Sequence, residues 1–300
     1  MKRYADLYLE TRRTLLPSEG ERAPVLAREL LALASGKSVE RIIACRELYA
    51  PEEVEQRLSS LVRRTLAGEP LAYLTGRWVF HGLPLTVTPD VLIPRDDTEA
   101  VAELAIRVAR SLAPGTPRVL DLCTGSGCIG LAVASEVREA RVTLGDISPA
   151  ALRVAKQNTQ ELHLSGRVSA VQMDVRKPAA PFLGQFDLIV SNPPYVTTRE
   201  MELLDASVRD YEPHLALHGG ADGMDFYSDI LTNFHRALKP GGWIALEFGA
   251  GQHESVCALL EAHRFAVEEL KEDLGGIIRA VLARDTREEN GTDGIEKDGL

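Results

Sequence analysis

The stretch RVLDLCTGSGCIGLAVA, residues 118–134, predicts a buried strand, a glycine-rich loop and the first turns of an apolar helix. Gly125, Gly127 and Gly130 follow the G-x-G-x-x-G spacing, in which glycine lets the backbone approach a ligand closely. Asp146 closes the next apolar run, at roughly the ~20-residue distance where an acid binds a ribose hydroxyl. This pattern indicates a nucleotide-type ligand, and an NAD-dependent dehydrogenase is the first interpretation to consider.

Asp121 argues against a dinucleotide. It ends the first strand, directly before the loop, where a negative charge would lie close to an incoming pyrophosphate. A carboxylate there suits a ligand with a cationic or amine group, and S-adenosylmethionine carries both a sulfonium and an α-amino group. The N-terminus of the following helix can hold the carboxylate of its methionine part. The sequence therefore favours S-adenosylmethionine as the cofactor.

A second motif follows the apolar run FDLIVS at residues 186–191, namely Asn192, Pro193, Pro194 and Tyr195. Proline restricts the preceding residue to extended conformations, and neither proline carries an N–H. Oxygens of Asn192 and Pro193 can therefore point together at the two hydrogens of one planar nitrogen, which the Tyr195 ring would cover. This arrangement suits a transferase acting on an amide or a nucleobase amine. The alternative is an ordinary Pro-Pro turn with a packed tyrosine.

Strands and helices alternate from Arg118 onward, which predicts an α/β domain with a doubly wound, Rossmann-like parallel sheet. We expect strands near 118–122, 141–146, 168–172, 186–191 and 243–248, and helices near 128–136, 149–162, 224–238 and 253–263. Residues 266–270 and 277–283 could add a hairpin at one edge.

The rest of the chain divides by pattern. Residues 1–72 predict either an N-terminal helical domain that docks or orients the substrate or a helical extension of the main core. An apolar stripe runs there from Val54 to Leu66 and ends at Gly68. Residues 73–94 predict a β-hairpin linker, and residues 95–284 the catalytic domain. The acidic, glycine-containing tail 285–300 lacks apolar periodicity, so we expect disorder there.

Composition narrows the classes of function. The net charge of −10 disfavours broad binding to a phosphate backbone, which requires clustered Lys and Arg. The four cysteines form no C-x-x-C pair, so the sequence predicts no disulfide framework and no metal site. No apolar run approaches the ~20 residues that span a bilayer, and the N-terminus lacks a secretory signal. We expect a cytoplasmic protein with no membrane partner.

Taken together, four runs resemble the peptide-chain release-factor glutamine N5-methyltransferases, over about residues 25–283. They are GEPLAYLTG at 68–76, LIPRDDTE at 92–99, the loop 121–127 and the Asn-Pro-Pro-Tyr motif at 192–195. The resemblance implies a helical bundle, a hairpin linker and an S-adenosylmethionine-dependent methyltransferase domain. It also implies that the substrate is the glutamine of the Gly-Gly-Gln loop in class 1 release factors. Cys123 departs from the family, which usually has glycine at this position.

Site residues follow from the same resemblance. It implies catalytic roles for Asn192, Pro193 and Tyr195, with Pro194 completing the substrate slot. The implied cofactor-binding residues are Arg95, Thr98, Glu99, Asp121, Cys123, Thr124, Gly125, Ser126, Gly127, Asp146, Asp174, Val175 and Asn192.

Other functions stay open on sequence grounds. An N6-adenine or N2-guanine nucleic-acid methyltransferase can use the same tetrapeptide, although it has to capture a base and usually has a basic recognition region. A sibling family that methylates a glutamine of a ribosomal protein shares the tetrapeptide as well. The remaining alternatives are the dehydrogenase and a non-enzymatic binding module that retains a cofactor fold.

Overall fold

The computed structural model describes residues 1–287, which form two compact units. The first comprises Met1–Arg77 together with Asp205–Tyr211, and the second comprises Trp78–Leu204 and the described residues from Glu212 onward. The helices, in chain order, are α1 Tyr4–Glu19, α2 Ala23–Ser35, α3 Val39–Ala44, α4 Glu52–Leu66, α5 Leu71–Thr75, α6 Glu99–Ser111, α7 Cys128–Glu136, α8 Pro149–Glu161, α9 Thr198–Met201, α10 Ala206–Arg209, α11 Asp225–Phe234 and α12 His253–Ala262. The strands are β1 Arg77–Phe80, β2 Leu83–Thr86, β3 Arg118–Leu122, β4 Arg141–Asp146, β5 Val168–Gln172, β6 Phe186–Ser191, β7 Leu238–Glu247, β8 Phe265–Glu272 and β9 Ile278–Asp285.

The first unit is helical. Helices α1 to α5 bury one shared apolar cluster that includes Leu15, Leu30 and Leu58. Of the stripe on α4, Val54 and Leu58 are buried, whereas Leu66 is 46% exposed. The segment 205–211 returns to this unit, where the Tyr211 hydroxyl donates a hydrogen bond to the Ala67 carbonyl over 2.9 Å. The sequence gives no local sign that residues so far along the chain belong here.

The second unit is built on a seven-stranded sheet in the order β5-β4-β3-β6-β7-β9-β8. The first five strands of that order run parallel, and β9 pairs antiparallel with both β7 and β8. Side chains of β3 alternate between two buried clusters, with Val119 facing one and Leu120 the other. Helix α7 packs on the first face and α11 on the second, so both faces of the sheet are covered. This is the doubly wound α/β fold that the alternating pattern predicts.

Strand β7 begins earlier than its sequence suggests. The run Lys239-Pro240-Gly241-Gly242 resembles a turn and moves the expected start to 243, yet β7 starts at Leu238. Leu238 pairs with Phe186, and the register between β6 and β7 shifts before the next pair, Leu188 with Trp243. The proline and glycines are accommodated in that irregularity.

The C-terminal boundary also differs from the expectation of a tail that begins at 285. Asp285 is the last residue of β9 and is 3% exposed. Its carboxylate binds the Arg287 guanidinium at 2.6 Å, and Arg287 in turn donates to the carbonyls of His235 and Leu238. Residues 285–287 therefore belong to the folded second unit, because this ion pair stabilises the burial of Asp285. The remainder of the expected tail lies outside the described residues.

Candidate active site

The site lies where the order of strands reverses. From β3 the chain proceeds to β4 and β5 on one side, and then returns to β6 on the other side of β3. Ligands of open α/β sheets bind at such a switch point, beyond the carboxyl ends of the strands. Leu122 pairs with Ser191, and the Ser191 hydroxyl donates to the Leu122 carbonyl over 2.7 Å. The glycine-rich loop after β3 and the diproline corner after β6 consequently start side by side.

These two segments border one pocket. Its lining residues are Asp90, Val91, Leu92, Pro94, Thr98, Cys123, Thr124, Gly125, Ser126, Cys128, Ile129, Asp146, Ile147, Ser148, Ala151, Met173, Asp174, Val175, Arg176, Asn192, Pro194, Pro213, Leu215, Ala216 and Phe226.

The glycine-rich loop adopts left-handed backbone at three positions. Gly125 and Gly127 have φ of 54° and 86°, which glycine adopts without steric cost. Cys123 has φ of 56°, although its side chain disfavours that region by ~1–2 kcal/mol. Cys123 therefore adopts a conformation that glycine would adopt more easily. Burial raises the pKa of its thiol, which makes Cys123 a poor nucleophile.

The Asp121 carboxylate accepts hydrogen bonds from residues of this loop and of α7, and it lies outside the pocket lining. It is fully buried, and its Oδ2 accepts from the Thr124 hydroxyl at 2.5 Å and the Gly130 amide at 3.0 Å. A side chain on Gly130 would collide with Leu144, so glycine permits this close packing. Burial raises the pKa of Asp121 to about 7. The structure thus gives Asp121 a loop-holding position rather than direct access to a ligand amine.

Two further acids border the pocket at the ends of β4 and β5. Asp146 accepts from the Gly125 amide and the Ser148 amide, each at 2.9 Å, so its carboxylate has a fixed orientation. Burial raises the pKa of Asp146. Asp174 accepts from the Arg176 guanidinium at 3.0 Å, and this hydrogen bond lowers the pKa of Asp174. Val175 lines the pocket beside it.

Some residues of the run at 92–99 line the pocket, and others bind neighbouring segments outside it. Thr98 lines the pocket, and its Oγ1 accepts from Nδ2 of Asn192 over 3.2 Å. Arg95 forms an ion pair with Glu212, whose Oε2 also accepts from the Ile93 amide at 3.1 Å. Glu99 accepts from the His81 amide over 2.9 Å. Arg95 and Glu99 therefore brace neighbouring backbone and, like Gly127, lie outside the pocket lining.

The diproline corner is held tightly by a second segment. Asn192 and Pro194 line the pocket, whereas Pro193 and Tyr195 lie outside the lining. Val196 forms a parallel bridge with His218, and the backbone of Gly219 packs directly against the corner. A Cβ on Gly219 would lie 2.6 Å from the Pro194 carbonyl oxygen and 2.7 Å from Cα of Tyr195. Glycine at 219 is therefore required by this close approach of two backbones.

Gln252 anchors the same corner from the other side. Its Nε2 donates to the Tyr195 carbonyl at 3.1 Å, and its Oε1 accepts from the Gly249 amide at 2.9 Å. A Cβ on Gly249 would lie 3.2 Å from Cδ2 of the Tyr195 ring. The ring thus lies against the backbone of Gly249, and its hydroxyl donates to Oε1 of Glu247 over 3.4 Å.

Asn158 connects the hairpin to the loop. Its buried amide donates to the Thr86 carbonyl at 3.0 Å and to the Ser126 carbonyl at 2.9 Å, and it accepts from the Thr86 amide at 2.7 Å. Sequence reasoning missed Asn158, Gln252 and the 213–219 segment, because none carries a local motif. It also missed four residues that line the pocket, Ile147, Ser148, Met173 and Arg176. Their one available signal was that they are close in the sequence to Asp146, Asp174 and Val175.

Within residues 1–287 no group of three or more His, Cys, Asp or Glu side chains is placed to hold a metal ion. The same residues contain no helix of sufficient length and apolarity to cross a membrane.

Comparison with known proteins assigns a family to this arrangement. A family model described as the PrmC N-terminal domain matches residues 6–76, and one described as the methyltransferase small domain matches residues 105–221. A release factor glutamine methyltransferase from Moorella thermoacetica is 40% identical over 91% of this chain and 95% of its own length. Another, from Bradyrhizobium diazoefficiens, is 39% identical over 88% of this chain and 89% of its own length. The chain belongs to the release factor glutamine methyltransferase family.

Other relatives agree with this placement. The release factor glutamine methyltransferase of Geobacter sulfurreducens is 42% identical over 78% of this chain and 79% of its own length. Among solved structures, the hMettl16 catalytic domain in complex with a MAT2A 3'UTR hairpin aligns with a TM-score of 0.56. That alignment covers 79% of this chain and 81% of the other at 16% identity, so it supports the methyltransferase fold alone. The fold and family expected from the sequence are confirmed.

Proposed function

We propose that this member of the release factor glutamine methyltransferase family transfers a methyl group from S-adenosylmethionine to a glutamine side chain of class 1 release factors. The observation that carries the proposal is one shared pocket. Asn192 and Pro194 of the diproline corner line the same cavity as the glycine-rich loop and Asp146. An amide held at the corner would consequently lie next to a nucleoside held at the loop.

The lining of the pocket fits the methyl donor. Asp146 offers an oriented carboxylate for the two ribose hydroxyls, since both its oxygens are already anchored by backbone amides. Val91, Leu92, Val175 and Phe226 supply apolar surface for a purine. Residues 123–126 would hold the methionine part next to the N-terminus of α7, whose partial positive charge favours a carboxylate. Bound S-adenosylmethionine supplies an electrophilic methyl group to this cavity.

The corner addresses the main difficulty of the reaction. A carboxamide nitrogen is a poor nucleophile, because its lone pair is delocalised into the carbonyl, the resonance that gives peptide bonds a rotation barrier of ~18–20 kcal/mol. Asn192 Oδ1 and the carbonyl of Pro193, which lies between the two lining residues Asn192 and Pro194, would accept from the two N–H groups and fix the nitrogen with its lone pair toward the methyl group. Tyr195 would hold the amide plane from one side. Positioning of this kind can supply ~7–11 kcal/mol.

Proton transfer does not require a dedicated base in this scheme. A carbon–nitrogen bond forms as the carbon–sulfur bond breaks, and the nitrogen then loses one proton. A cationic amide nitrogen is strongly acidic, so water suffices as the acceptor. Glu247 and Asp121, the two acids whose pKa burial raises to about 7, lie outside the pocket lining.

The experiment that tests the proposal identifies the methyl acceptor. The chain is incubated with radiolabelled S-adenosylmethionine and, separately, a class 1 release factor, the same factor with its Gly-Gly-Gln glutamine changed to alanine, ribosomal proteins, RNA and DNA. We expect label only on the unaltered release factor, at the N5 atom of that glutamine. Label on nucleic acid or on a ribosomal protein instead would overturn the choice of substrate. We also propose the cytoplasm as the location of the protein, because a class 1 release factor would be its substrate there.

A further inference from the structure

Gln252 joins two backbone segments that meet at the diproline corner. Its Nε2 donates to the Tyr195 carbonyl over 3.1 Å, and its Oε1 accepts from the Gly249 amide over 2.9 Å. A backbone N–H only donates and a carbonyl oxygen only accepts, so only this orientation of the side-chain amide satisfies both partners. Two bonds of opposite direction therefore fix the Gln252 side chain between the corner and the end of β7.

The place of Gln252 in the chain would ordinarily serve the helix that follows. It is the N-cap residue of α12, where a side chain usually accepts from a free amide of the first turn, and Ser, Thr, Asp and Asn do this best. Within residues 1–287 the Gln252 side chain makes no such bond to α12. It turns instead toward Gly249 and Tyr195. The side chain at this helix start thus serves the corner rather than the helix.

The two bonds of Gln252 act on opposite parts of Tyr195. One bond holds the carbonyl that directly follows the diproline. The other holds the backbone of Gly249, on which the tyrosine ring lies, since a Cβ on Gly249 would be 3.2 Å from Cδ2 of that ring and 3.0 Å from Oε1 of Gln252. One side chain therefore sets the position of the Tyr195 backbone relative to the surface that carries its ring.

Gly223 encloses the same contact from a third direction. A Cβ on Gly223 would lie 2.4 Å from the Tyr195 carbonyl oxygen and 2.5 Å from Nε2 of Gln252. Its φ of 78° is left-handed, which glycine adopts without steric cost. The carbonyl of Tyr195 therefore has little room to turn away from Gln252.

We propose that Gln252 is a positioning residue that acts through Tyr195 and keeps the tyrosine ring and the diproline corner in the orientation that receives the substrate amide. This inference rests on the proposed function, in which the ring holds the amide plane. Gln252 lies outside the pocket lining, so it acts on the reaction only through the residue it holds. Because a small misplacement of reacting groups slows the chemical step, loss of Gln252 should lower kcat more than it weakens binding.

Two variants of nearly unchanged size separate the two hydrogen bonds. At about pH 8 Gln252→Glu keeps an acceptor for the Gly249 amide but has no donor for the Tyr195 carbonyl, because the carboxylate is ionised. Gln252→Met removes both bonds. We expect each variant to lower kcat for methylation of the release factor by roughly 10- to 100-fold. The Kd of S-adenosylmethionine and the KM of the release factor should stay within about threefold of the wild-type values.

A double variant tests whether the effect passes through Tyr195. Tyr195→Ala removes the ring that Gln252 holds, so Gln252→Met should slow Tyr195→Ala by much less than it slows the wild type. Single-turnover transfer of radiolabel measures these slow rates. Gln160→Met, at an exposed position of α8, is the matched control and should keep the wild-type kcat. Thermal unfolding of every variant accompanies the kinetics.

The outcomes distinguish this inference from the proposed function. If the wild type labels no release factor, the proposed function fails. If it does, but Gln252→Glu has the wild-type kcat, the positioning role of Gln252 is overturned, because its bond to Tyr195 then has no effect on the reaction. Losses that multiply in full when Gln252→Met is combined with Tyr195→Ala overturn it as well. Should Gln252→Met not fold, Gln252→Glu decides alone, since it keeps the bond to Gly249.

Discussion

Nδ2 of Asn192 donates a hydrogen bond to Oγ1 of Thr98 over 3.2 Å, which leaves the Asn192 oxygen available to the pocket. The two residues are 94 positions apart in the chain, one preceding α6 and the other following β6. Their contact joins the Pro-Arg-x-x-Thr-Glu run to the diproline corner. The side-chain amide of Asn192 is therefore oriented by Thr98, which lies outside the tetrapeptide.

Removal of the Asn192 side chain should stop the reaction with little effect on the donor. Asn192→Ala deletes the acceptor oxygen, and loss of a single preorganised group in an active site costs about 10²–10³ in kcat. We expect kcat to fall by at least ~100-fold, while the Kd of S-adenosylmethionine changes by less than ~10-fold because Asp146 and the loop remain. Radiolabel transfer and titration calorimetry measure the two quantities. Near-normal turnover would rule out the proposed role of Asn192.

Gly219 should tolerate no side chain, because of its contact with Pro194 and Tyr195. In Gly219→Ala the new Cβ would lie 2.6 Å from the Pro194 oxygen, so the corner must shift. We expect a loss of ~1–3 kcal/mol in the free energy of unfolding, typical of overpacking, and a fall in kcat of roughly 10- to 100-fold. Urea unfolding and methyl-transfer rates provide the measurement.

Gly166 supplies the matched control for that substitution. A Cβ on Gly166 meets no atom within 4 Å, and its φ lies outside the left-handed region. The free energy of unfolding of Gly166→Ala should therefore lie within about 1 kcal/mol of the wild-type value, and its kcat should equal that of the wild type. Equal behaviour of the two alanine variants would contradict the account of the corner.

Cys123 should be replaceable by glycine but not by a branched residue. Its φ of 56° is strained for any side chain and most strained for β-branched ones. We expect the free energy of unfolding of Cys123→Gly to lie within about 1 kcal/mol of the wild-type value, since relief of strain offsets the greater freedom of the unfolded chain. In Cys123→Val the free energy of unfolding should fall by ~2 kcal/mol, and S-adenosylmethionine should bind more weakly. A valine variant as stable as the glycine variant would show that this backbone conformation is not required.

The buried Asp121 should make stability depend on pH. Its pKa rises from an ordinary value of 3.8 to about 7 on folding, so the folded protein holds this proton more tightly. Stability from this group is complete below about pH 4 and declines as the pH rises toward 7. At ~1.4 kcal/mol per pKa unit, Asp121 should account for a loss of roughly 2–3 kcal/mol between pH 5 and pH 8.

Asp121→Asn isolates that contribution. The amide keeps an acceptor oxygen for Gly130 but cannot ionise, so the decline in unfolding free energy between pH 5 and pH 8 should shrink by about the same amount. Asp146 and Glu247, whose pKa values burial also raises, retain their own contributions in this variant. Urea unfolding at both pH values measures the difference. An unchanged decline would mean that Asp121 is not the titrating group.

The local elements of the second unit could be predicted because each has a local cause. Strands β3 to β6 appear as apolar runs, and the glycines at 125 and 127 occur where the backbone turns left-handed. Strand β7 starts five residues before the predicted position 243, because Leu238 pairs with Phe186 across a register irregularity that contains the turn-like Gly241 and Gly242. Tertiary pairing overrode a local signal there.

The parts of the site that escaped prediction depend on contacts between distant segments. Gly219 and Gln252 hold the corner through backbone contacts that no short motif encodes. Asp121, Arg95 and Glu99 carry the charges that a motif search selects, but the fold uses them to hold backbone, hydroxyl or ionic partners. Charge and position in a motif indicate that a residue matters; only packing shows whether it reaches the ligand.

The most direct test of the central claim is a crystal structure with S-adenosylhomocysteine and a glutamine-containing peptide from a release factor. The account predicts the nucleoside against Asp146 and residues 123–126, with the glutamine nitrogen within ~3.2 Å of both Asn192 Oδ1 and the Pro193 carbonyl oxygen. A nucleoside bound in this pocket with the diproline corner closed off from it, or a glutamine bound elsewhere, would contradict the account.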